Sequence, residues 1–165
     1  MSSSFDIPDV EFLTTGAVGP PGQRIFYLQA RHAARVISLR LEKAQVAALC
    51  RFLDSMLANV APTEPAEQDM ALVEPVVAEW VVGNLRVQYY DSDDRFVLEA
   101  DELVEEGEDG ATARIAASRA QVAALIRHGN EVVAAGRPPC PLCGGPLDSE
   151  GHMCVRLNGH RDLAP

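Results

Sequence analysis

The sequence is poor in the features that usually reveal an activity or a compartment. Among its 14 basic residues only Lys43 is a lysine, aromatic residues make up 5% of the chain, and no apolar stretch is long enough to span a membrane. A transmembrane helix needs roughly 20 consecutive apolar residues, so we expect no membrane partner. Residues 1–6 lack a basic stretch that leads into an apolar run. We therefore expect no secretory signal peptide and a cytoplasmic protein.

The familiar catalytic motifs are also missing. The chain has no Gly-x-Ser-x-Gly nucleophile elbow, no His-Glu-x-x-His pair and no dinucleotide fingerprint. The turn from Gly19 to Gly22 lacks the Lys-Ser/Thr that a phosphate-binding loop requires. A net charge of −10 repels a nucleic-acid backbone. These absences favour a protein that is not an enzyme and that does not bind nucleic acid.

What the sequence does contain is an internal repeat. The hexapeptide Ala-Gln-Val-Ala-Ala-Leu occupies residues 44–49 and occurs again, unchanged, at 120–125. Phe-Tyr-Leu-Gln-Ala at 26–30 is echoed by Phe-Val-Leu-Glu-Ala at 96–100, and Glu11-Phe-Leu by Glu79-Trp-Val. Three matched landmarks in the same order indicate a duplication.

Each repeat predicts three strands followed by a helix. Alternating apolar residues separated by turn residues indicate the strands, the last of them at Arg35 to Leu41 and at Thr112 to Ala117. Apolar residues at helical spacing then follow, and Cys50 lies on this stripe. Ser118 with Gln121 forms a capping box for the second helix; Glu42 replaces the serine in the first repeat, so we expect no shared cap.

The predicted fold class is therefore α+β, with two βββα repeats forming an antiparallel sheet and the helices covering one face. We expect six strands related by a pseudo-twofold axis. The repeats span about 10–60 and 78–136 within a domain of residues 1–137, and a polar linker at 61–69 joins them. Residues 138–165 form a small separate tail.

That tail carries the strongest chemical signal. Three of the four cysteines and two of the four histidines lie within residues 140–160. Cys140-Pro-Leu-Cys143-Gly is a zinc knuckle: two thiolates three residues apart can bind one ion, and the glycine permits a tight turn. A thiolate cluster in a cytoplasmic chain favours zinc over a disulfide framework. We expect the zinc to be structural, because the tail is too short for a core of its own.

The two ligands that complete the site can be assigned in two ways. On a strand, His152 and Cys154 share a face and complete a four-ligand set with Cys140 and Cys143. Alternatively His160 replaces His152 as the ligand that accompanies Cys154. The first set is favoured.

Basic residues concentrate in the first repeat. Arg24, Arg31 and Arg35 lie close together in sequence with almost no acids among them. They predict either a site for an anionic ligand or a set of solvent-facing side chains that balances the acidic second half.

Several of these segments together resemble one protein family. They are residues 26–30, 41–46 and 79–83 and the closing Cys-Pro-x-Cys-Gly tail with its Gly-His-x-Cys and Asn-Gly. The sequence resembles an uncharacterised actinobacterial family, known as a domain of unknown function, over nearly its whole length. The resemblance implies a phosphate-signalling partner and favours His152 over His160.

Two functions follow as hypotheses. The first is a non-enzymatic, zinc-stabilised binding or adaptor protein with an unknown protein partner. The alternative is an enzyme that acts on a phosphorylated or otherwise anionic substrate through the Arg-rich first repeat, with or without zinc. The absence of catalytic motifs favours the first.

Overall fold

Seven strands form one sheet in the computed structural model, which describes residues 1–147, 151–156 and 162–163. The strands are β1 (Phe5–Ile7), β2 (Phe12–Val18), β3 (Ile25–His32), β4 (Arg35–Leu41), β5 (Trp80–Tyr90), β6 (Arg95–Glu102) and β7 (Thr112–Ala117). The helices are α1 (Lys43–Leu57) and α2 (Arg119–Ala134). Two short strands, β8 (His152–Met153) and β9 (Asp162–Leu163), form a separate pair. Neither helix has the length and apolar character to cross a membrane within these described ranges.

The predicted α+β class is confirmed, but the sheet is mixed. The spatial order is β1-β7-β6-β5-β4-β3-β2. Neighbouring strands are antiparallel except at two places, where β1 pairs with β7 and β4 pairs with β5 in parallel. The expectation of a purely antiparallel, six-stranded sheet is therefore wrong, because β1 adds a strand and each parallel pairing joins strands that are distant in sequence.

The sheet curls until its two edges approach each other. β1 and β2 lie at opposite edges, yet only residues 8–11 join them. A flat sheet of this size would be about 29 Å wide at the usual strand spacing, whereas the joining chain reaches at most about 18 Å. The backbone N–H of Val10 donates to Ala116 of β7 (3.0 Å), and that of Glu11 donates to Arg31 of β3 (3.0 Å). Consecutive residues thus bridge the two edges.

Both helices pack against one face of this curled sheet and share its core. The core residues alternate along the strands and follow the predicted stripe on α1; they include Leu28, Leu39, Phe96, Leu98, Ile115, Val46, Leu53, Val122 and Leu125. Cys50 belongs to this core, and burial raises the pKa of its thiol to about 11. It is therefore a packing residue and not a reactive thiol.

The two helices meet at a glycine. A Cβ atom built on Gly129 of α2 would lie 2.5 Å from Sγ of Cys50 on α1 and 3.2 Å from Cγ2 of Thr15 on β2. Both distances are shorter than van der Waals contact. The close approach of α2 to α1 and β2 therefore requires glycine at this position.

The helix caps agree only in part with expectation. At α2 the N–H of Gln121 donates to Oγ of Ser118 (3.2 Å), and the N–H of Ser118 donates to Oε1 of Gln121 (2.9 Å). At α1 the N–H of Glu42 donates to Oε1 of Gln45 (2.7 Å) in the same way. The expectation that the two helices share no cap is thus wrong, because the glutamine half of the capping box does not need a serine.

The segment that follows α1 is bound to the sheet and is not a free linker. Oγ1 of Thr14 donates to the carbonyl of Met70 (2.6 Å). The buried amide of Gln29 donates to the carbonyl of Val73 (3.0 Å) and accepts from its N–H (2.7 Å). Leu72 lies against Gly16, where a side chain on the strand would collide with it. The predicted linker therefore leads into a segment that covers the other face of β2 and β3.

A carboxylate ties the β5–β6 hairpin to the start of α2. Oδ1 of Asp94 accepts from the Tyr89 hydroxyl (2.8 Å) and from Nε of Arg119 (2.8 Å), and Nη1 of Arg119 donates to the carbonyl of Ala61 (2.6 Å). These bonds, chiefly the one from Arg119, hold the pKa of Asp94 below its usual value. Asp94 adopts φ 50°, a conformation that asparagine also tolerates.

We expect Asp94→Asn to destabilise the protein near neutral pH but not in acid. Because the pKa of Asp94 is lower in the folded chain, its carboxylate stabilises the fold above the unfolded pKa, and this contribution disappears as the pH falls through the folded pKa. Urea midpoints of the two proteins should therefore differ at about pH 7 and converge as the pH is lowered through the folded pKa of Asp94. A difference that does not change with pH would contradict this.

Candidate metal centre

The Cys-Pro-x-Cys-Gly segment forms a tight turn closed by backbone hydrogen bonds. The N–H of Gly144 donates to the carbonyl of Cys140 (2.9 Å), and the N–H of Cys140 donates to that of Gly145 (2.7 Å). Gly144 has φ +73°, in the region that favours glycine. The N–H of Leu142 points at Sγ of Cys140 (3.4 Å). The turn thus presents the sulfur atoms and stabilises negative charge on one of them.

Four side chains converge beside this turn. One ligand atom from each of Cys140, Cys143, His152 and Cys154 lies within 4.8 Å of the others. Sγ of Cys140 is 3.8 Å from Sγ of Cys154, and Sγ of Cys143 is 3.8 Å from Nε2 of His152. Two sulfur ligands about 2.3 Å from one tetrahedral zinc ion are themselves about 3.8 Å apart. The spacing fits a shared ion and is far too long for a disulfide, and all four cysteines of the chain are free thiols.

Burial and polarity within the cluster are uneven. Cys140 and Cys154 are 2% and 0% exposed, whereas Cys143 and His152 are half-buried. Burial of Cys140 would raise its pKa, but hydrogen bonds from the backbone N–H groups of Cys143 and Leu142 and from neighbouring side chains lower it to about 6. Burial raises the pKa of Cys154. Since thiolates are the metal-binding form, Cys140 is prepared for a metal at neutral pH.

His152 lies on β8 and Cys154 directly follows that strand, and both reach the same point. They flank Met153, which is 70% exposed and faces away. This is the alternation expected for residues i and i+2 on a strand. His160, the alternative ligand, lies outside the described residues. The geometry of the four-residue cluster is compatible with a metal such as zinc.

The three arginines of the anion hypothesis are not brought together. Arg31 lies over Phe12 and pairs with Glu11 (3.9 Å), and Arg35 lies over Phe5 and pairs with Glu79 (3.6 Å). Both belong to the end of the sheet where β3 turns into β4.

Arg24 precedes the other end of β3. Its guanidinium lies over Phe26, and Nη1 donates to the carbonyl of Val132 near the C-terminus of α2 (2.8 Å). Lys43 and Arg137 accompany it. All three side chains line a cavity next to the Cys-Pro-x-Cys-Gly turn of residues 140–144, called the cysteine turn below. No local motif links these three positions, so spacing in the sequence could not have identified them.

Comparison with known proteins places the chain in a family without adding a function. No curated protein and no solved structure matches it significantly. One family model matches residues 4–154, which include the whole sheet, both helices and the four residues of the metal cluster. The chain belongs to the family described as a protein of unknown function (DUF3090).

Proposed function

We propose that this chain is a non-enzymatic adaptor whose C-terminal tail is organised by a structural zinc ion. Cys140, Cys143, His152 and Cys154 would hold the ion. The observation that carries this is the convergence of four protein donors within 4.8 Å, which matches a closed tetrahedral set. A closed set leaves no coordination position for a substrate, so the zinc supplies folding energy and no catalysis.

The tail needs that energy because its own apolar core is minute. Within the described part of the tail, Leu147 packs with the cysteines and little else is buried. A segment of this size without a metal does not hold a fixed conformation. The zinc would therefore decide whether the tail presents a surface at all.

The described surface of the tail favours protein binding. Leu142, Met153 and Val155 are 45%, 70% and 84% exposed. These three exposed apolar side chains are the proposed contact surface of the tail. A phosphate-signalling protein is the proposed partner, in line with the family resemblance.

We further propose that the sheet arose by duplication. The two equivalent glutamines support this: Nε2 of Gln45 donates to the carbonyl of Val82 (3.1 Å), and Nε2 of Gln121 donates to that of Val10 (2.7 Å). The start of α1 is thereby bound to β5 in the second half, and the start of α2 is bound to the segment just before β2 in the first half. The four strands and helix of residues 5–57 and the three strands and helix of residues 80–134 then form one interlocked scaffold for the tail.

The test is affinity capture with a surface variant. Leu142→Ser/Met153→Ser/Val155→Ser should retain about one zinc per chain, because none of these side chains is a ligand, but should lose the partner that the wild-type chain captures. Phe52→Ser is the matched control, since Phe52 is also exposed (53%) but lies on α1. Identical capture by wild-type chain and triple variant, measured by quantitative mass spectrometry, would overturn the adaptor surface.

A further inference from the structure

A cationic cleft lies beside the metal cluster, where four parts of the chain meet. Its volume is about 480 Å³. The walls come from the turn before β3, the start of α1, the residues after α2 and the cysteine turn. The lining residues that matter here are Arg24, Lys43, Gly136, Arg137, Gly144 and Glu42.

The positive groups in this cleft approach one another closely. A Cβ atom built on Gly136 would lie 2.9 Å from Nη2 of Arg24 and 2.9 Å from Nζ of Lys43. The two nitrogen atoms are therefore within about 6 Å of each other. On the other side, the guanidinium carbon of Arg137 would be 3.4 Å from a Cβ on Gly22. Three cations from distant segments thus share one concave surface, in a chain whose net charge is −10.

Contacts within the protein explain the position of Arg24 but not that of Lys43. Arg24 caps α2 through its bond to Val132, which is a common use of arginine at a helix C-terminus. Lys43 makes no hydrogen bond or ion pair among the described residues, and neither it nor Arg24 pairs there with Glu42 on the same rim. Two like charges at this distance repel unless an anion lies between them.

We propose that this cleft binds a small phosphorylated molecule through Arg24, Lys43 and Arg137. A phosphoryl group can accept hydrogen bonds from guanidinium and ammonium groups at once. α1 begins at Lys43, so its dipole favours a negative group at this end, where the Glu42 side chain already accepts from the backbone N–H of Gln45. Glu42 on the rim disfavours a polyphosphate and favours a single phosphoryl group on a molecule with hydroxyls. The inference rests on the proposed function in one respect: Gly144 of the cysteine turn, which the proposed zinc would hold in place, forms part of the wall.

The experiment uses the full chain with its zinc content measured, and inorganic phosphate and glycerol 3-phosphate as probes. Binding is followed by calorimetry at constant ionic strength. Lys43→Gln and Arg24→Gln should each weaken binding by about tenfold or more, as expected for one charge-assisted contact. Arg51→Gln is the control: Arg51 is exposed on the same helix and lies outside the cleft, so it removes an equal charge. A second readout is acylation of Lys43, the only lysine in the chain, which both probes should slow.

Each outcome bears on the proposal. Binding that depends on Lys43 and Arg24 but not on Arg51 supports it. Zinc-loaded chain that binds neither probe, or that loses as much affinity in Arg51→Gln as in Lys43→Gln, overturns it and leaves the zinc adaptor standing. A chain that binds no zinc but binds phosphate through Lys43 supports the cleft and removes the zinc-adaptor proposal.

Discussion

Replacing Cys154 with serine is expected to empty the metal centre and to unfold the tail while the sheet remains folded. Cys154 is fully buried in the cluster, and a serine hydroxyl is a poor zinc ligand. Structural zinc contributes apparent binding energies of about 10–16 kcal/mol in small metal-dependent domains, far more than the apolar contacts of Leu147 supply. Zinc content should fall from about one ion per chain towards zero.

Amide hydrogen exchange would show which part of the chain unfolds in Cys154→Ser. The amides of Cys140, Gly144 and Leu147 make backbone hydrogen bonds and should lose their protection, whereas the amides of β3 and β6 should keep theirs. Met153→Ala is the matched control, because Met153 lies between two proposed ligands but is exposed. Retention of zinc and of amide protection in Cys154→Ser would contradict the four-ligand centre.

Substituting each histidine in turn distinguishes the two alternative ligand sets. His152→Ala should lose zinc as Cys154→Ser does, because its Nε2 lies 3.8 Å from Sγ of Cys143. His160→Ala should keep about one ion per chain. If His152→Ala kept its zinc and His160→Ala lost it, His160 would be the ligand in place of His152.

Gly129→Ala should lower the free energy of unfolding by about 1–3 kcal/mol, although the same substitution usually raises it in a helix. Alanine ordinarily stabilises a helix interior by about 1 kcal/mol relative to glycine. Here the new methyl group would lie 2.5 Å from Sγ of Cys50, within a packed core, and overpacking of this kind forces the helices apart. Chemical denaturation measures the difference directly.

A second variant tests whether that clash is the cause. Cys50→Ala removes the sulfur that the methyl group would meet. The double variant Gly129→Ala/Cys50→Ala should be more stable than Gly129→Ala alone, although Cys50→Ala by itself leaves a small cavity and is destabilising. Strictly additive effects would show that the clash with Cys50 is not responsible.

Elements with strong local periodicity were predictable, and short elements were not. The bounds of β4 and β7 match those expected from alternating apolar residues, and both helices lie where their apolar stripes predicted. β1 has three residues, too few for a pattern, and its partner β7 is the last of the seven strands in chain order. The parallel pairings depend on how the sheet curls, which local spacing does not encode.

The same distinction applies to the two candidate sites. The cysteine turn and the pair His152 and Cys154 are local in sequence, so their spacing already indicated a shared face. The cleft combines residues 24, 43 and 137, which only the tertiary structure joins. Charge density in the sequence pointed to Arg24 but grouped it with two arginines that lie at the opposite end of β3.

The bridging segment at residues 8–11 has a consequence for synthesis. Phe5 pairs with Ala113, and Val10 with Ala116, so the first strand has no partner until almost the entire sheet has left the ribosome. Until then Phe5, Ile7 and Val10, all buried in the finished protein, lack the β7 partners beside which they are buried. Folds with such distant pairings form slowly. β1, which precedes the other strands in the chain, is thus among the last to be incorporated into the sheet.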